Sequence, residues 1–419
     1  MAPHHEKLSF ADEVLLRNGC PGVVGMAAVF AGDPPALSDV RDRVVERWGV
    51  LERMHQVLEH RSADAPFARR GLRGAARWTV TGPFDPDVHV LDSPAKLEDL
   101  WAASTDRPLP GGVPPWRLYL VPGVPGEGFA LSLIAQHTLI DGRSLQTLLC
   151  TLMDGTASAQ LSGRPTRLPR VGLRDVRGEI RALTAPGQAL PMDEPTEACP
   201  SVAVLPLPPH LVSAARRPRA DGRRASLNEL LLSAVAGALR TTFGPPEQWP
   251  GKVGAVYSAV PCDLRTQENL SELGNIVTAV RVRVPVDTDS PEARLRQSQL
   301  MLQGVPARAA AHALMFSLTS AVRRMCPWAT RLATGRGYRP SYMATSTTVL
   351  RWHDAPSAFY GRDFRQGIAL PPMHRPGNAS FAAVKTRDAL AMTVVCNMRP
   401  DEAQLLGEAV IAELQVLAG

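Results

Sequence analysis

The chain has 419 residues and a mass of 45.2 kDa, too long for one ordinary core and suited to two domains or two lobes. Apolar residues make up 45% and charged residues 21% of it, the composition of a soluble globular protein. The net charge of +6 is modest for this length. It gives no ground for a nucleic-acid partner, although it tolerates an acidic ligand such as a phosphate-bearing co-substrate.

The six cysteines are scattered, with no C-x-x-C pair and no histidine at zinc-ligand spacing, so we expect buried free thiols and no metal site. The first residues, MAPHHEKLSFADEVLL, are acidic where a signal peptide needs an apolar core. No stretch approaches the roughly 20 uncharged apolar residues of a membrane span. The sequence therefore predicts a cytoplasmic protein without a transmembrane segment.

The first 155 residues alternate between helical and strand patterns, which predicts a mixed α/β lobe. Apolar spacing of three and four residues marks the helices, and short apolar or alternating runs between turn residues mark the strands. In chain order we predict a strand at 23–30, helices at 36–58 and 96–104, strands at 116–123 and 129–137, and a helix at 142–155.

Residues 156–200 break this pattern, since they are rich in Pro, Gly, Arg and Thr and show little periodicity. We interpret them as the connection between two lobes. In the second lobe, 201–419, Ser226 is a good N-cap and Glu229 completes a capping box. The predicted elements are a strand at 202–207, a helix at 226–243, strands at 252–261 and 276–286, helices at 293–303 and 309–324, strands at 342–350, 367–372, 378–384 and 390–397, and a closing helix at 399–418.

A lone histidine ends the apolar run FALSLIAQHTLIDGRS (129–144). Strand alternation places His137 and Gln136 on opposite faces, and the turn residues Asp141 and Gly142 stop the strand soon afterwards. His137 thus lies at the mouth of a strand-to-helix connection, where a neutral imidazole can accept a proton. Taken alone, this pattern favours a structural histidine. Asp141 either orients the ring or bonds to local backbone or to an arginine.

Four more segments accompany this stretch, and together they point to a known family. AQHTLIDGRS resembles the H-H-x-x-x-D-G signature of the condensation-domain and CoA-dependent acyltransferase superfamily. Within it, the chain resembles the wax ester synthase/diacylglycerol acyltransferase type over most of its length. The other matching segments are KLSFADEVLL (7–16), DRPLPGGVPPWRLYLVPGVPGEGFALSL (106–133), ASLNELLLSAVAGALR (225–240) and AVPCDLRTQENLSELGN (259–275).

This resemblance implies an α/β fold with mixed sheets, in which two chloramphenicol-acetyltransferase-like lobes form a V around a central tunnel. It implies that His137 is the general base, which deprotonates an acceptor hydroxyl or amine. The acceptor attacks an acyl-CoA or a phosphopantetheinyl thioester on an acyl carrier protein, without an acyl-enzyme and without a bound cofactor. Asp141 would shape the loop through an arginine, and Gly142 would allow close approach at the turn. Amides at the start of the next helix would stabilise the developing oxyanion.

The sequence departs from the family pattern at three places. Gln136 replaces the first histidine of the signature. Asn228-Glu229 replaces the N-D pair that opens a later helix in the family. The N-V-P-G-P segment is poorly matched by residues 346–356. These departures favour tailoring of a small-molecule acceptor in specialised metabolism over wax ester or triacylglycerol synthesis. Ester and amide products both stay open. Two further alternatives are a non-catalytic module that binds a carrier protein or metabolite, and a fold repurposed for cyclisation or dehydration.

Further polar residues are candidates for substrate contact. Arg265 and Asn275 either line the tunnel or buttress it, and Gln136 and Asn228 join them as predicted substrate-binding residues. The basic loop 216–224 either meets coenzyme A phosphates or an acidic carrier protein, or is solvated.

The remaining histidines give weaker signals. His55 and His60 lack a third ligand at metal-site spacing. His353, Asp354 and His374 fall in predicted loops, and Gly377 and Asn378 fit the family's late strand entry. Neither a G-x-S-x-G motif nor a Gly-rich phosphate loop is present.

Overall fold

The chain folds around two six-stranded sheets and one three-stranded sheet. The computed structural model describes residues 5–8, 12, 22–59, 77–107, 109–124, 128–156, 171–192, 200–218, 222–251, 253–266, 270–322, 339–352, 358–373, 378–397 and 401–419.

The strands fall mostly where apolar runs predict them. They are β1 (His5–Lys7), β2 (Val23–Ala31), β3 (Gln56–Glu59), β4 (Arg77–Val80), β5 (Val90–Asp92), β6 (Trp116–Val124), β7 (Gly128–Gln136), β8 (Pro200–Pro206), β9 (Val256–Asp263), β10 (Val277–Val284), β11 (Thr345–Arg351), β12 (Ala358–Phe359), β13 (Arg362–Leu370), β14 (Ala379–Lys385) and β15 (Leu390–Asn397).

Helices cover the sheets and fill the connections. They are α1 (Leu37–Trp48), α2 (Pro86–His89), α3 (Leu97–Asp106), α4 (Gly142–Leu152), α5 (Leu173–Thr184), α6 (Pro209–Ala215), α7 (Leu227–Phe243), α8 (Pro291–Gln303), α9 (Val305–Val322) and α10 (Glu402–Ala418). The predicted cap of α7 is confirmed, since Ser226 and Glu229 form a reciprocal capping box.

The first large sheet has the order β12-β13-β2-β7-β6-β5. Its strand β7 is buried on both faces, and the predicted alternation is visible in what each face contacts. Leu131 and Leu133 belong to the core that includes Trp48 of α1 and Leu148 of α4. Ile134, on the opposite face, packs in a separate cluster with residues of α3 and β15. The strand that leads to His137 is therefore fixed from both sides.

The second large sheet has the order β10-β9-β11-β14-β15-β8. Its apolar face packs on α7 and α10 in the largest core cluster, in which Val280 and Val282 of β10 are buried. Strand β11 runs parallel to β9 and β14, whereas the other neighbours in this sheet are antiparallel.

One segment from the second half of the chain completes the first sheet. Strand β13 pairs antiparallel with β2 from Phe364 to Leu370, and β12 extends it. The predicted lobe boundaries, 1–155 and 201–419, therefore follow the chain order but do not coincide with the sheets.

Two of the predicted elements need correction. The helix expected over 36–58 ends at Trp48, and the chain continues as a short 3-10 turn and β3. The apolar spacing persisted because Leu51 and Met54 enter the same core as Trp48, although the backbone there is not α-helical.

The connection expected over 156–200 contains helix α5, which apolar periodicity could not reveal. Glu179 is its buried residue, whereas Leu173 is 80% exposed. The helix is held by polar contacts instead, since the Glu179 carboxylate accepts from Arg308 and bonds to His312, both at 2.8 Å.

No described helix combines the length and apolar character needed to cross a lipid bilayer. The three cysteines within the described ranges, Cys150, Cys262 and Cys396, are free thiols. Burial raises the pKa of Cys150 and of Cys262 to about 11, so both are protonated near neutral pH.

Candidate active site

The His137 loop joins β7 to α4 where the first sheet meets the second half of the chain. Strand β7 ends at Gln136, which pairs with Val23, and the backbone N–H of His137 donates to the carbonyl of Gly22 at 2.5 Å. A turn follows, closed by a 2.8 Å bond from the Leu139 N–H to the Gln136 carbonyl. The strand thus stops at the predicted place.

The imidazole of His137 is half-buried in an asymmetric way. Its Nδ1 is shielded from solvent and has no hydrogen-bond partner, although the residue as a whole is only half-buried. Burial lowers the pKa of His137, while the carbonyls of His137 and Ile140 and the Asp141 carboxylate act in the opposite direction. The ring is therefore neutral at pH 7 and able to accept a proton.

Asp141 is engaged by an arginine from the second half of the chain, as expected. Its two oxygens accept from Arg265 Nη1 at 2.9 Å and Arg265 Nη2 at 3.1 Å. They also accept from the backbone N–H groups of Ser144 and Ile276, each at 2.8 Å. Both side chains are almost fully buried, at 4% and 1% exposure. With both oxygens occupied in this way, the carboxylate fixes the loop and does not relay a proton from His137.

Arg265 is a buttress and does not line an open surface. Its Nε donates to the Glu272 carbonyl at 2.9 Å, and Nη1 also contacts Asp263 at 3.0 Å. Burial opposes its charge, but the carboxylates of Asp141 and Asp263 more than offset this and raise the pKa of Arg265. The burial and contacts of Arg265 support the interpretation that it buttresses the His137 loop.

Ser144 connects α4 to the segment that contains Gly274. Its Oγ donates to the Gly274 carbonyl at 2.9 Å and accepts from the Gly274 N–H at 3.1 Å and from Arg265 Nη2 at 2.9 Å. Gly274 has a φ of +146°, a conformation that L side chains rarely adopt. Glycine is favoured at position 274 by this backbone conformation and not by a close contact, since a Cβ there would lie 3.4 Å from its nearest neighbour. At Gly142 a Cβ would likewise make an ordinary 3.4 Å contact, with Leu350, and the close approach expected there stays a prediction.

The other predicted substrate-binding residues are spread out. The Nδ2 of Asn275 donates to Asp12 at 2.8 Å, which links Asp12 to the segment around Gly274, while the Oδ1 of Asn275 is buried without a partner. Gln136 is half-buried, and its backbone N–H donates to the Pro115 carbonyl at 3.0 Å. Asn228 is exposed in the first turn of α7, and no hydrogen bond among the described residues joins it to the His137 loop.

Several weaker candidates are structural or fall outside the described residues. Both ring nitrogens of His55 lie 3.0 Å from backbone carbonyls, those of Gly82 and Gly49. In the basic loop, Arg223 pairs with Glu229 and Arg216 donates to the Ala225 carbonyl, which favours a structural role. The predictions for His60, His353, Asp354, His374 and Gly377 lie outside the described ranges. Asn378, within them, donates from Nδ2 to the Met343 carbonyl at 2.9 Å.

Sequence reasoning missed Ser144 and Asp12. Ser144 follows the D-G pair at a fixed offset and was a recognisable candidate. Asp12 gave no signal, because its partner Asn275 is 263 residues away.

Two cavities in the second half of the chain are lined by described residues, and His137 is not among the residues that line them. Among the described residues, no group of three or more His, Cys, Asp or Glu side chains could hold a metal ion.

Solved structures place this architecture in a known fold. The wax ester synthase/diacylglycerol acyltransferase from Marinobacter aquaeolei superposes with a TM-score of 0.61 at 17% identity, covering 99% of this chain and 100% of that one. The starter condensation domain of rhizomide synthetase, as a mutant in complex with C8-CoA and Leu-SNAC, gives 0.62 at 15% identity over 99% and 94%. The chain thus has the two-lobed, mixed α/β fold shared with condensation domains, as the sequence predicted.

Sequence comparison then gives the family. The model of the wax ester synthase/diacylglycerol acyltransferase catalytic domain matches residues 11–235, over half of the chain, so the chain belongs to that family. A probable diacylglycerol O-acyltransferase from Mycobacterium tuberculosis is 24% identical over 305 residues. That alignment covers 65% of this chain and 64% of the relative, so slightly less than two thirds of the relative's length is matched.

Proposed function

We propose that the protein transfers an acyl group from a coenzyme A or carrier-protein thioester to a hydroxyl group, with His137 as general base. The observation behind this proposal is the state of the His137 ring. Burial lowers its pKa, which favours the neutral form, and Nδ1 is shielded, which leaves Nε2 as the nitrogen proposed to meet the acceptor. Its loop is clamped by Asp141 and Arg265, in a chain that belongs to a family of acyltransferases.

In the proposed reaction, Nε2 of His137 accepts the proton of the acceptor hydroxyl as its oxygen attacks the thioester carbonyl. The tetrahedral intermediate collapses, the C–S bond breaks, and the thiolate leaves with the proton from the imidazolium. The Asp141 carboxylate already accepts the Ser144 N–H, so the amides left to stabilise the oxyanion at this helix start are those of Gly142 and Arg143. An amine acceptor would use the same base.

Two acceptor classes have support. The matched M. tuberculosis relative is named as a diacylglycerol O-acyltransferase, which favours a lipid alcohol. The departures at Gln136 and at residues 346–356 favour a small-molecule acceptor in specialised metabolism. The complex of the rhizomide synthetase domain with C8-CoA supports acyl-CoA as the donor to test first.

The test is turnover of C2, C8 and C16 acyl-CoAs with diacylglycerol, long-chain alcohols and small polyfunctional alcohols, followed by free thiol release and product mass. We expect an ester product, and a loss of about 10²- to 10⁴-fold in kcat for His137→Ala, the usual contribution of a general base. His210→Ala, an exposed histidine on α6, is the matched control and should keep wild-type activity.

Equal product from wild type and His137→Ala would refute the base assignment. Saturable acyl-CoA binding without turnover of any acceptor would instead identify a binding module, and a product without acyl addition would identify cyclisation or dehydration.

A further inference from the structure

A cavity of about 180 Å³ lies in the second half of the chain, away from the His137 loop. Segment 185–187, Arg281 of β10 and the residues before β11 form its wall. The polar side chains among the described lining residues are Arg281, Arg339, Ser341 and Tyr342. All four offer hydrogen-bond donors, two carry positive charge, and no Asp or Glu is among these described lining residues.

Arg281 is held in place before any ligand arrives. Its guanidinium lies 3.5 Å from the ring centroid of Tyr257 and 4.3 Å from that of Tyr342. Its Nε donates to the Tyr342 carbonyl at 2.6 Å, and Nη1 donates to the carbonyls of Ala182 and Ala185 at 2.6 and 2.7 Å. The residue is only 1% exposed. A cation fixed in this way loses little side-chain entropy when it binds an anion.

Gly187 leaves room at the Nη2 edge of this guanidinium. A Cβ on Gly187 would lie 2.7 Å from Arg281 Nη2 and would overlap the Ser341 carbonyl. Glycine at this position therefore allows the backbone to approach the arginine closely in the wall of the cavity.

We propose that this cavity binds a phosphate group. The buried positive charge of Arg281, whose Nε and Nη1 are already bonded to carbonyls, attracts an anion, and the Arg339 guanidinium and the Ser341 hydroxyl are the donors that suit the oxygens of a phosphate. The net charge of +6 favours the approach of such an anion.

The location also relates this site to the proposed reaction. Ile276, whose N–H donates to Asp141, directly precedes β10, and Arg281 is the fifth residue of that strand. At about 3.3 Å per residue, Arg281 lies about 13 Å along β10 from its first residue. Coenzyme A is an extended molecule with its phosphates far from the thioester. The cavity therefore suits either the phosphates of an acyl-CoA donor, which rests on the proposed function, or free phosphate, which does not.

The experiment measures binding to the full chain by titration calorimetry with inorganic phosphate, coenzyme A and phosphate-free pantetheine. Arg339→Gln and Ser341→Ala keep the packed Arg281 frame, and Arg296→Gln, an exposed arginine on α8, is the matched control. We expect Arg339→Gln to weaken phosphate binding about tenfold, as for loss of one charged hydrogen bond, and Arg296→Gln to leave it unchanged.

A parallel loss for coenzyme A, with pantetheine unaffected, supports the acyl donor as the source of the phosphate. A loss for inorganic phosphate alone supports the same site with free phosphate as its ligand. Equal phosphate affinity in Arg339→Gln, Ser341→Ala and the control overturns the proposal, as does the absence of phosphate binding to the wild type. Neither result depends on acyl transfer, so failure of this site and failure of the proposed function are distinguishable.

Discussion

At the scale of single residues, the proposed chemistry depends on the imidazole of His137 and on what surrounds its nitrogens. Nδ1 of His137 is enclosed without a partner, so protonation would place a charge where burial disfavours it. Its neighbour Asp141 does not compensate fully, because both carboxylate oxygens are occupied by Arg265 and by backbone amides. The environment therefore favours the neutral base.

This state predicts the pH dependence of the reaction. In the proposed reaction the neutral ring is the active form, and burial holds its pKa below the ordinary 6.5. We expect kcat/KM for acyl transfer to fall in acid with an apparent pKa below that of a free imidazole, as the ring becomes protonated, and to level off above neutral pH. A profile of kcat/KM from pH 4.5 to 9 checks this. A limb that still rises above pH 7 would contradict the lowered pKa.

At the scale of elements, the start of α4 is fixed to the second half of the chain by polar contacts. Ser144 alone makes three hydrogen bonds across this seam, to Gly274 N–H, Gly274 C=O and Arg265. Because α4 begins directly after the His137 loop, these bonds set the position of His137 relative to the second half of the chain.

We expect Ser144→Ala to lower the free energy of unfolding by about 1–3 kcal/mol, since it leaves the Gly274 N–H without its partner and removes one bond each from the Gly274 carbonyl and Arg265. Thr147→Ala is the control on the same helix, because its hydroxyl bonds only to the Arg143 carbonyl within α4. That change should alter stability by less than about 0.5 kcal/mol. Urea denaturation of both variants measures the difference. Similar denaturation midpoints would show that the hydrogen bonds of Ser144 to Gly274 and Arg265 do not stabilise the fold.

At the scale of the whole molecule, strand β13 joins the two halves, because it comes from the second half of the chain but pairs in the first sheet. It adds to β2 in the first sheet, while Trp352, at the end of β11 in the second, packs beside it. The rings of Trp352 and Phe364 lie 4.9 Å apart. Gly367 of β13 leaves the space for that indole, since a Cβ there would overlap its six-membered ring.

Gly367→Ala should therefore displace Trp352 and destabilise the fold by about 1–3 kcal/mol, the usual cost of overpacking. Gly178→Ala is the opposite case, because this helical glycine of α5 faces open space. It should be neutral or stabilise by up to about 1 kcal/mol. Thermal unfolding monitored by Trp fluorescence measures both, and equal melting temperatures would exclude the packing argument.

The sequence by itself determined most of the local elements, and the resemblance to the family pointed to His137 as the candidate base. Alternation in 129–137, the turn at Asp141 and the cap at Ser226 involve neighbours along the chain, so their physics is visible in short stretches. The resemblance added the two-lobed fold and the arginine contact of Asp141. Apolar spacing predicted the wrong end for α1, because Met54 is buried in the core although the backbone there is not α-helical. It also missed α5, because the buried residue of that helix is the polar Glu179.

Only the tertiary structure decided which distant groups meet. It paired Asp141 with Arg265, Ser144 with Gly274 and Asn275 with Asp12, and it placed β13 in the first sheet. It also gave Gly274 a φ of +146°, a conformation that the sequence did not indicate. These contacts join residues more than 100 positions apart, and their stability comes from burial and charge pairing in the folded chain, which no short stretch of sequence encodes.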